Sequence, residues 1–83
     1  MHMDRSIFNL EASVEATSLY ILLCALADEQ EPLTLERAGL QWNGTRKDLL
    51  EAAMELLQRG VLTGKQPLTD DQPLHLNPSH EWR

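Results

Sequence analysis

The longest apolar pattern in the chain lies between residues 13 and 30 and predicts a first helix. Ser13 can cap its start, and Glu15 places a negative charge in the first turn, where the helix dipole is positive. We expect this helix to end near Gln30, because Pro32 disfavours helical backbone in the residue before it. Spacings of three and four residues define its core-facing stripe, which consists of Leu19, Leu22, Leu23 and Leu26.

The remaining faces of the first helix are also rich in apolar residues, namely Tyr20, Ile21, Cys24 and Ala25. A helix that is apolar all round must be covered on several sides. Residues 7–10, which include Ile7, Phe8 and Leu10, could fold back over it, or the same helix of a second copy could pack against it. The second alternative predicts a homodimer with Tyr20, Ile21, Cys24 and Ala25 at its interface.

A short second helix is predicted after Pro32. Residues 33–35 alternate like a short strand, but Thr34 is also a good cap for a helix over residues 35–40. The apolar positions of that helix are Leu35, Ala38 and Leu40. Asn43 and Gly44 then supply turn chemistry, so the segment ends in a tight turn.

The third helix is predicted over residues 46–59, with Thr45 as its cap and Gly60 as its stop. Its inward-facing residues are Leu49, Leu50, Ala53, Leu56 and Leu57, with Met54 beside them. Its outward stripe is acidic and consists of Asp48, Glu51 and Glu55.

A β-hairpin and a tail are predicted after the third helix. Residues 61–63 and 74–76 have the composition of short strands, and the polar residues 64–72 separate them. We expect residues 78–83 to form a frayed tail, although Trp82 within it could dock on the body of the domain. Residues 13–77 are therefore expected to form the domain, with an N-terminal segment over residues 1–12 from which we set Met1 and His2 aside.

Length, charge and cysteine content narrow the class of protein. The 83 residues suffice for one small core, and 42% hydrophobic residues favour a folded chain. A net charge of −6 disfavours nucleic acid, because it repels a phosphate backbone at long range. A lone Cys24 excludes an internal disulfide and favours a reducing compartment, so we expect a cytoplasmic protein. The longest apolar run, residues 19–27, is too short to span a membrane.

The segment LTLERAGLQWNGTRKDLLEAAMELLQRGVL, residues 33–62, resembles the helix-turn-helix and first wing strand of winged-helix domains. The resemblance extends over residues 13–77. It implies a mainly α fold with a small β-hairpin, in the order helix, short strand, helix, helix and two-stranded wing. It further implies that the third helix enters the DNA major groove through Thr45, Arg46 and Lys47, while Lys65 on the wing contacts the backbone or the minor groove.

Local charge leaves that DNA interpretation open. Residues 34–65 carry a net charge of +1, so the remainder carries −7. However, the acidic stripe would face the phosphates, and Arg46 or Lys47 could simply pair with Glu51 along the helix. The stripe could dock a basic partner or merely solvate the helix, and Trp42 could close the core or anchor a partner.

No pattern for catalysis, for a metal or for a cofactor stands out. Cys24 lies in an apolar helix without a base near it in sequence, and His75 and His80 are separated by a proline. We therefore expect a non-enzymatic protein-interaction or regulatory module, dimeric and without a cofactor or metal. The partner-docking residues would be Trp42, Asp48, Glu51 and Glu55. The alternative function is DNA-binding transcriptional regulation through the third helix and the wing.

Overall fold

The secondary structure was obtained from a computed structural model, which describes residues 3–83; Met1 and His2 lie outside the described residues. Three α-helices and one two-stranded antiparallel sheet make up the described part of the chain. The elements in chain order are a 3₁₀ helix (Arg5–Asn9), α1 (Val14–Asp28), α2 (Leu35–Gln41), α3 (Arg46–Gln58), β1 (Leu62–Thr63), β2 (His75–Leu76) and a second 3₁₀ helix (Ser79–Glu81). The prediction of a mainly helical chain with a small hairpin is confirmed.

Each α-helix begins at the residue that the sequence predicts. The side-chain oxygens of Ser13, Thr34 and Thr45 accept hydrogen bonds from the backbone N–H groups three residues further on. After α3, Gly60 has a φ of 74°, the left-handed conformation in which glycine is favoured. Local chemistry thus sets the helix boundaries.

The core lies mainly between α1 and α3. Its largest fully buried side chains are Ile7, Leu19, Leu23, Leu26, Leu35, Leu56, Val61 and Leu62. Four leucines that the helical spacing assigns inward differ from expectation: Leu22, Leu50 and Leu57 are only half-buried, and Leu40 is 74% exposed. Ala52, which the sequence analysis does not assign inward, is buried instead.

The hairpin pairs Leu62 with Leu76 and Thr63 with His75. The Leu62–Leu76 pair is buried and the Thr63–His75 pair is exposed, which is the period-two alternation of a sheet covered on one face. The short strand predicted at residues 33–35 is absent from the described chain. Leu33 instead accepts one backbone hydrogen bond, from Leu74 N–H at 2.8 Å, and Thr34 is committed to capping α2.

Both chain ends pack over α1. Ile7 is fully buried against the core, and the Tyr20 and Trp82 rings meet edge to face with centroids 5.3 Å apart. The Trp82 indole donates a hydrogen bond to the Asn77 carbonyl at 2.9 Å, and Arg83 N–H donates to the Arg59 carbonyl at 2.7 Å. Trp82 therefore docks as expected, but the expectation that residues 78–83 are frayed is wrong.

No helix within residues 3–83 combines the length and apolar character required to cross a membrane.

Candidate protein-interaction surface

The predicted dimer residues separate into a buried pair and an exposed pair. Tyr20 and Cys24 are each only 3% exposed, because the N-terminal segment and the C-terminal tail cover their side of α1. Ile21 and Ala25 face solvent. The prediction of a four-residue interface is therefore wrong for Tyr20 and Cys24, which belong to the core of a single chain, while Ile21 and Ala25 remain available for contacts.

Burial also determines the chemistry of Tyr20 and Cys24. Removal from water raises the pKa of Tyr20 to about 12 and raises the pKa of the Cys24 thiol, because both charged forms lose solvation. A thiol with a raised pKa supplies little thiolate at neutral pH, so Cys24 is poorly suited to act as a nucleophile.

The solvent-facing side of α1 carries an uncharged row of residues, which we call the α1 ridge. It consists of Val14, Ser18, Ile21 and Ala25, at helical spacings of four, three and four residues. Val14 is 78% exposed and Ile21 41% exposed, which are high values for branched apolar side chains. Sequence analysis missed Val14 and Ser18 as surface residues, although their spacing from Ile21 was a readable signal.

A groove of 440 Å³, which we call the α1 groove, runs beside the ridge. One wall belongs to α1, the other to the turn between α2 and α3, and the first turn of α3 closes one part. The groove is lined by Val14, Glu15, Ser18, Leu22, Gln41, Trp42, Asn43, Gly44 and Asp48. The half-burial of Leu22 follows from this position.

Trp42 is half-buried against the core and also lines the α1 groove, so its position is compatible with either role considered for it. Its indole N–H donates a hydrogen bond to the Thr45 carbonyl at 3.1 Å, which fixes the ring across the turn. A Cβ atom at Gly44 would lie 2.8 Å from the Trp42 Nε1 atom. Glycine at position 44 therefore permits the observed indole position.

A second groove, of 280 Å³, lies on the opposite side of the ridge. It is lined by Ile7, Phe8, Glu11, Ala12, Val14, Thr17 and Ser18. Phe8 lines this groove and is 58% exposed, so its aromatic ring adds to the apolar surface on this side of the ridge. The ridge is thus flanked by two hollows, a shape into which side chains of a partner can insert.

Three of the predicted DNA-contacting residues, Thr45, Arg46 and Lys47, are exposed at the start of α3, and the two cations among them lie beside carboxylates. The Arg46 guanidinium pairs with Asp70 in the loop between the strands. The Lys47 ammonium lies 4.0 Å from the Glu51 carboxylate, the within-helix pairing that the sequence offers as an alternative. Lys65 is exposed, and its backbone N–H donates to the Gln72 side chain.

Glu55 is set apart from the other two residues of the acidic stripe of α3. Glu55 is half-buried and accepts a hydrogen bond at 2.8 Å from the backbone N–H of Ser13, so it joins α3 to the start of α1. Glu51 is exposed and lines a small hollow together with Asp48, which also lines the α1 groove. Of the predicted docking residues, Trp42 and Asp48 therefore meet in one groove, and Glu55 is occupied within the chain.

Across residues 3–83, no three His, Cys, Asp or Glu side chains come together as ligands for a metal. Comparison with family models, with curated proteins and with solved structures found no match to the chain.

Proposed function

We propose that the chain is a non-enzymatic protein-interaction module that docks its partner on the α1 ridge and α1 groove. The observation that carries this proposal is the exposed, uncharged ridge containing Val14 and Ile21 beside a groove that presents Trp42. Apolar surface bounded by polar residues is typical of interaction sites, because covering it removes that surface from water. A half-buried tryptophan is already held in place and loses little conformational freedom on binding, which favours its use as an anchor.

The same proposal includes a winged-helix type of architecture. The order of α1, α2, a tight turn, α3 and a two-stranded hairpin supports it. The absence of a strand at residues 33–35 and the seven-residue length of α2 are departures that weaken this part. The interaction surface stands on its own residues and does not depend on the architectural class.

Site-specific photo-crosslinking in the source cells tests the proposed function. A photoreactive residue at Ile21 should give a discrete covalent adduct, whereas the same probe at Thr69, exposed in the loop between the strands, should not. Val14→Asp, which adds a charge to the exposed ridge without burying it, should abolish the Ile21 adduct. Its thermal unfolding should match that of the parent.

Equal adducts at Ile21 and Thr69, or none at Ile21, would contradict the proposal. An adduct at twice the mass of the chain would identify a second copy as the partner.

DNA binding is the second candidate function. The exposure of Thr45, Arg46 and Lys47 at the first turn of α3 supports it. The ion pair of Arg46 with Asp70 and the proximity of Lys47 to Glu51 weigh against it, because each places a carboxylate beside a cation that would have to meet phosphate. The interaction module is therefore the better supported of the two.

A further inference from the structure

The α1 groove has an apolar part and an acidic part. Val14, Leu22 and Trp42 supply apolar surface, while Glu15 and Asp48 supply carboxylates. A smaller adjoining hollow shares both carboxylates and adds a third from Glu51; it is lined by Ser13, Glu15, Asp48, Glu51 and Ala52. The two hollows thus form one continuous surface that changes from apolar to acidic.

Positive charge is missing from the walls of both hollows. None of the described residues that line them is a lysine or an arginine. The second groove, across the ridge, likewise has Glu11 as its charged lining residue. Lys47 forms an ion pair with one lining residue: its ammonium lies 4.0 Å from Glu51, but its side chain is 85% exposed, so it screens the hollow weakly.

This pattern of charge distinguishes between occupants of the groove. A second copy of the chain would bring another net charge of −6 toward the carboxylates, which opposes association. A cationic partner would be attracted to them during encounter and would place lysine or arginine opposite Glu15 and Asp48. Its apolar side chains would gain by covering Val14, Leu22 and Trp42.

We propose that the α1 groove binds a cationic amphipathic segment of another protein, with an apolar side chain against Trp42 and a lysine or arginine against Glu15 and Asp48. This inference rests on the proposed function, because it names the chemistry of the partner that the α1 surface receives. It assigns separate tasks to the two parts of the groove: the apolar part contributes affinity, and the carboxylates select a cation over an anion.

Titration of the isotope-labelled full chain with synthetic helical peptides, followed by NMR, tests the inference. The probe is a panel of peptides with leucine and lysine on one face, together with the same peptides carrying glutamate in place of lysine. Leucine–lysine peptides should shift the indole N–H signal of Trp42 and the backbone signals of residues 14–22. The Trp82 indole, packed on Tyr20 away from the groove, is an internal control.

Charge variants with a matched control make the test specific. The double variant Glu15→Gln, Asp48→Asn should weaken binding of the leucine–lysine peptides about tenfold, since each pair contributes modestly in water. The double variant Glu36→Gln, Asp71→Asn removes the same charge at exposed positions outside the groove and should leave binding unchanged. Glu15 and Asp48 each lie in the first turn of a helix, whereas only Glu36 does so in the control variant. Thermal unfolding of both variants therefore accompanies the titration, to show whether a lost helix-dipole interaction has changed stability.

Several results would overturn the inference. Equal weakening by both double variants would indicate general attraction to an acidic chain, and equal binding of the leucine–glutamate peptides would remove the role of the carboxylates. Absence of binding by the whole panel, or self-association that covers the groove, would also reject it. If the Ile21 crosslink forms but the cationic peptides do not bind, only the partner chemistry is wrong. Loss of the crosslink as well would reject the proposed function.

Discussion

Single residues join distant parts of this small chain. Arg59 donates a hydrogen bond to the Leu10 carbonyl at 2.8 Å and also bonds to the backbone of Arg83, so it connects both chain ends to the end of α3. Gly60 lies beneath the tail, where a Cβ atom would come within 2.7 Å of the Glu81 carbonyl oxygen. Its positive φ and this close approach both require glycine. Residues 78–83 therefore depend on one glycine for their position.

Tyr20 predicts a loss of stability at high pH. An unfolded tyrosine titrates near pH 10, whereas burial raises the pKa of Tyr20 in the folded chain to about 12. Between these values the unfolded chain releases a proton that the folded chain retains, so the free energy of unfolding falls as pH rises. At pH values below the pKa of the unfolded tyrosine, the stabilisation associated with the buried, protonated Tyr20 is fully present. The raised pKa of Cys24 acts in the same direction.

Denaturant unfolding at a series of pH values checks this prediction, and Tyr20→Phe should flatten the decline. Because the chain has one tyrosine, phenolate absorbance reports on Tyr20 directly. Ionisation at the same pH in native and denatured chains would show that the hydroxyl is not buried.

Neighbouring positions within an element differ in their energetic roles. Along α3, Leu56 is fully buried, whereas Leu57 is half-buried at the edge of the core. In α1, Leu23 is fully buried, whereas Leu22 reaches the α1 groove. Helical spacing alone assigns all four inward. The distinction arises because the chain has too few elements to cover a broad apolar face completely.

Truncation of Leu56 and Leu57 should therefore have unequal effects. Leu56→Ala should lower the free energy of unfolding by about 2 to 5 kcal/mol, since it leaves a cavity between α1 and α3. Leu57→Ala should cost clearly less, because water can occupy the vacated volume. Urea unfolding followed by circular dichroism measures both. Equal losses would show that the two side chains are similarly buried.

At the scale of the whole molecule, net charge and surface shape both favour a protein partner over nucleic acid. The net charge of −6 and the engaged cations of α3 oppose a phosphate backbone, while the α1 ridge offers apolar contact to a protein. The homodimer predicted from the apolar first helix loses two of its four residues, because Tyr20 and Cys24 are covered within one chain. A homodimer interface on α1 would therefore consist of Ile21, Ala25 and their neighbours on the ridge.

Sedimentation over a concentration series tests the homodimer. We expect the mass of a single chain, 9.4 kDa, at low concentration. If a dimer forms at higher concentration, the substitution Ile21→Lys should abolish it. A dimer that persists in Ile21→Lys would place the interface elsewhere.

Binding to random duplex DNA at low salt tests the second candidate function. The pairing of Arg46 with Asp70 and the position of Lys47 beside Glu51 lead us to expect no measurable affinity. Affinity that falls steeply with added salt, and that is lost in Arg46→Ala with Lys47→Ala, would instead support a DNA-binding regulator.

The sequence by itself determined the starts of the helices, the end of α3 and the position of the hairpin. These features follow from contacts over a few residues, such as the hydrogen bonds accepted by Ser13 and Thr45 and the backbone freedom of Gly60. Local chemistry is readable from local residues, so these predictions were accurate to within about two residues.

Only the tertiary structure decided which sides of α1 meet solvent. An all-round apolar helix has no periodicity that favours one face, so the choice depends on which distant segments cover it. Trp82, remote from α1 in sequence, packs on the Tyr20 ring, and the backbone N–H of Asp4 bonds to the Tyr20 hydroxyl, whereas Val14, Ile21 and Ala25 are left outside. The α1 surface therefore arises from long-range contacts, since burial is a property of the assembled chain and not of any one segment.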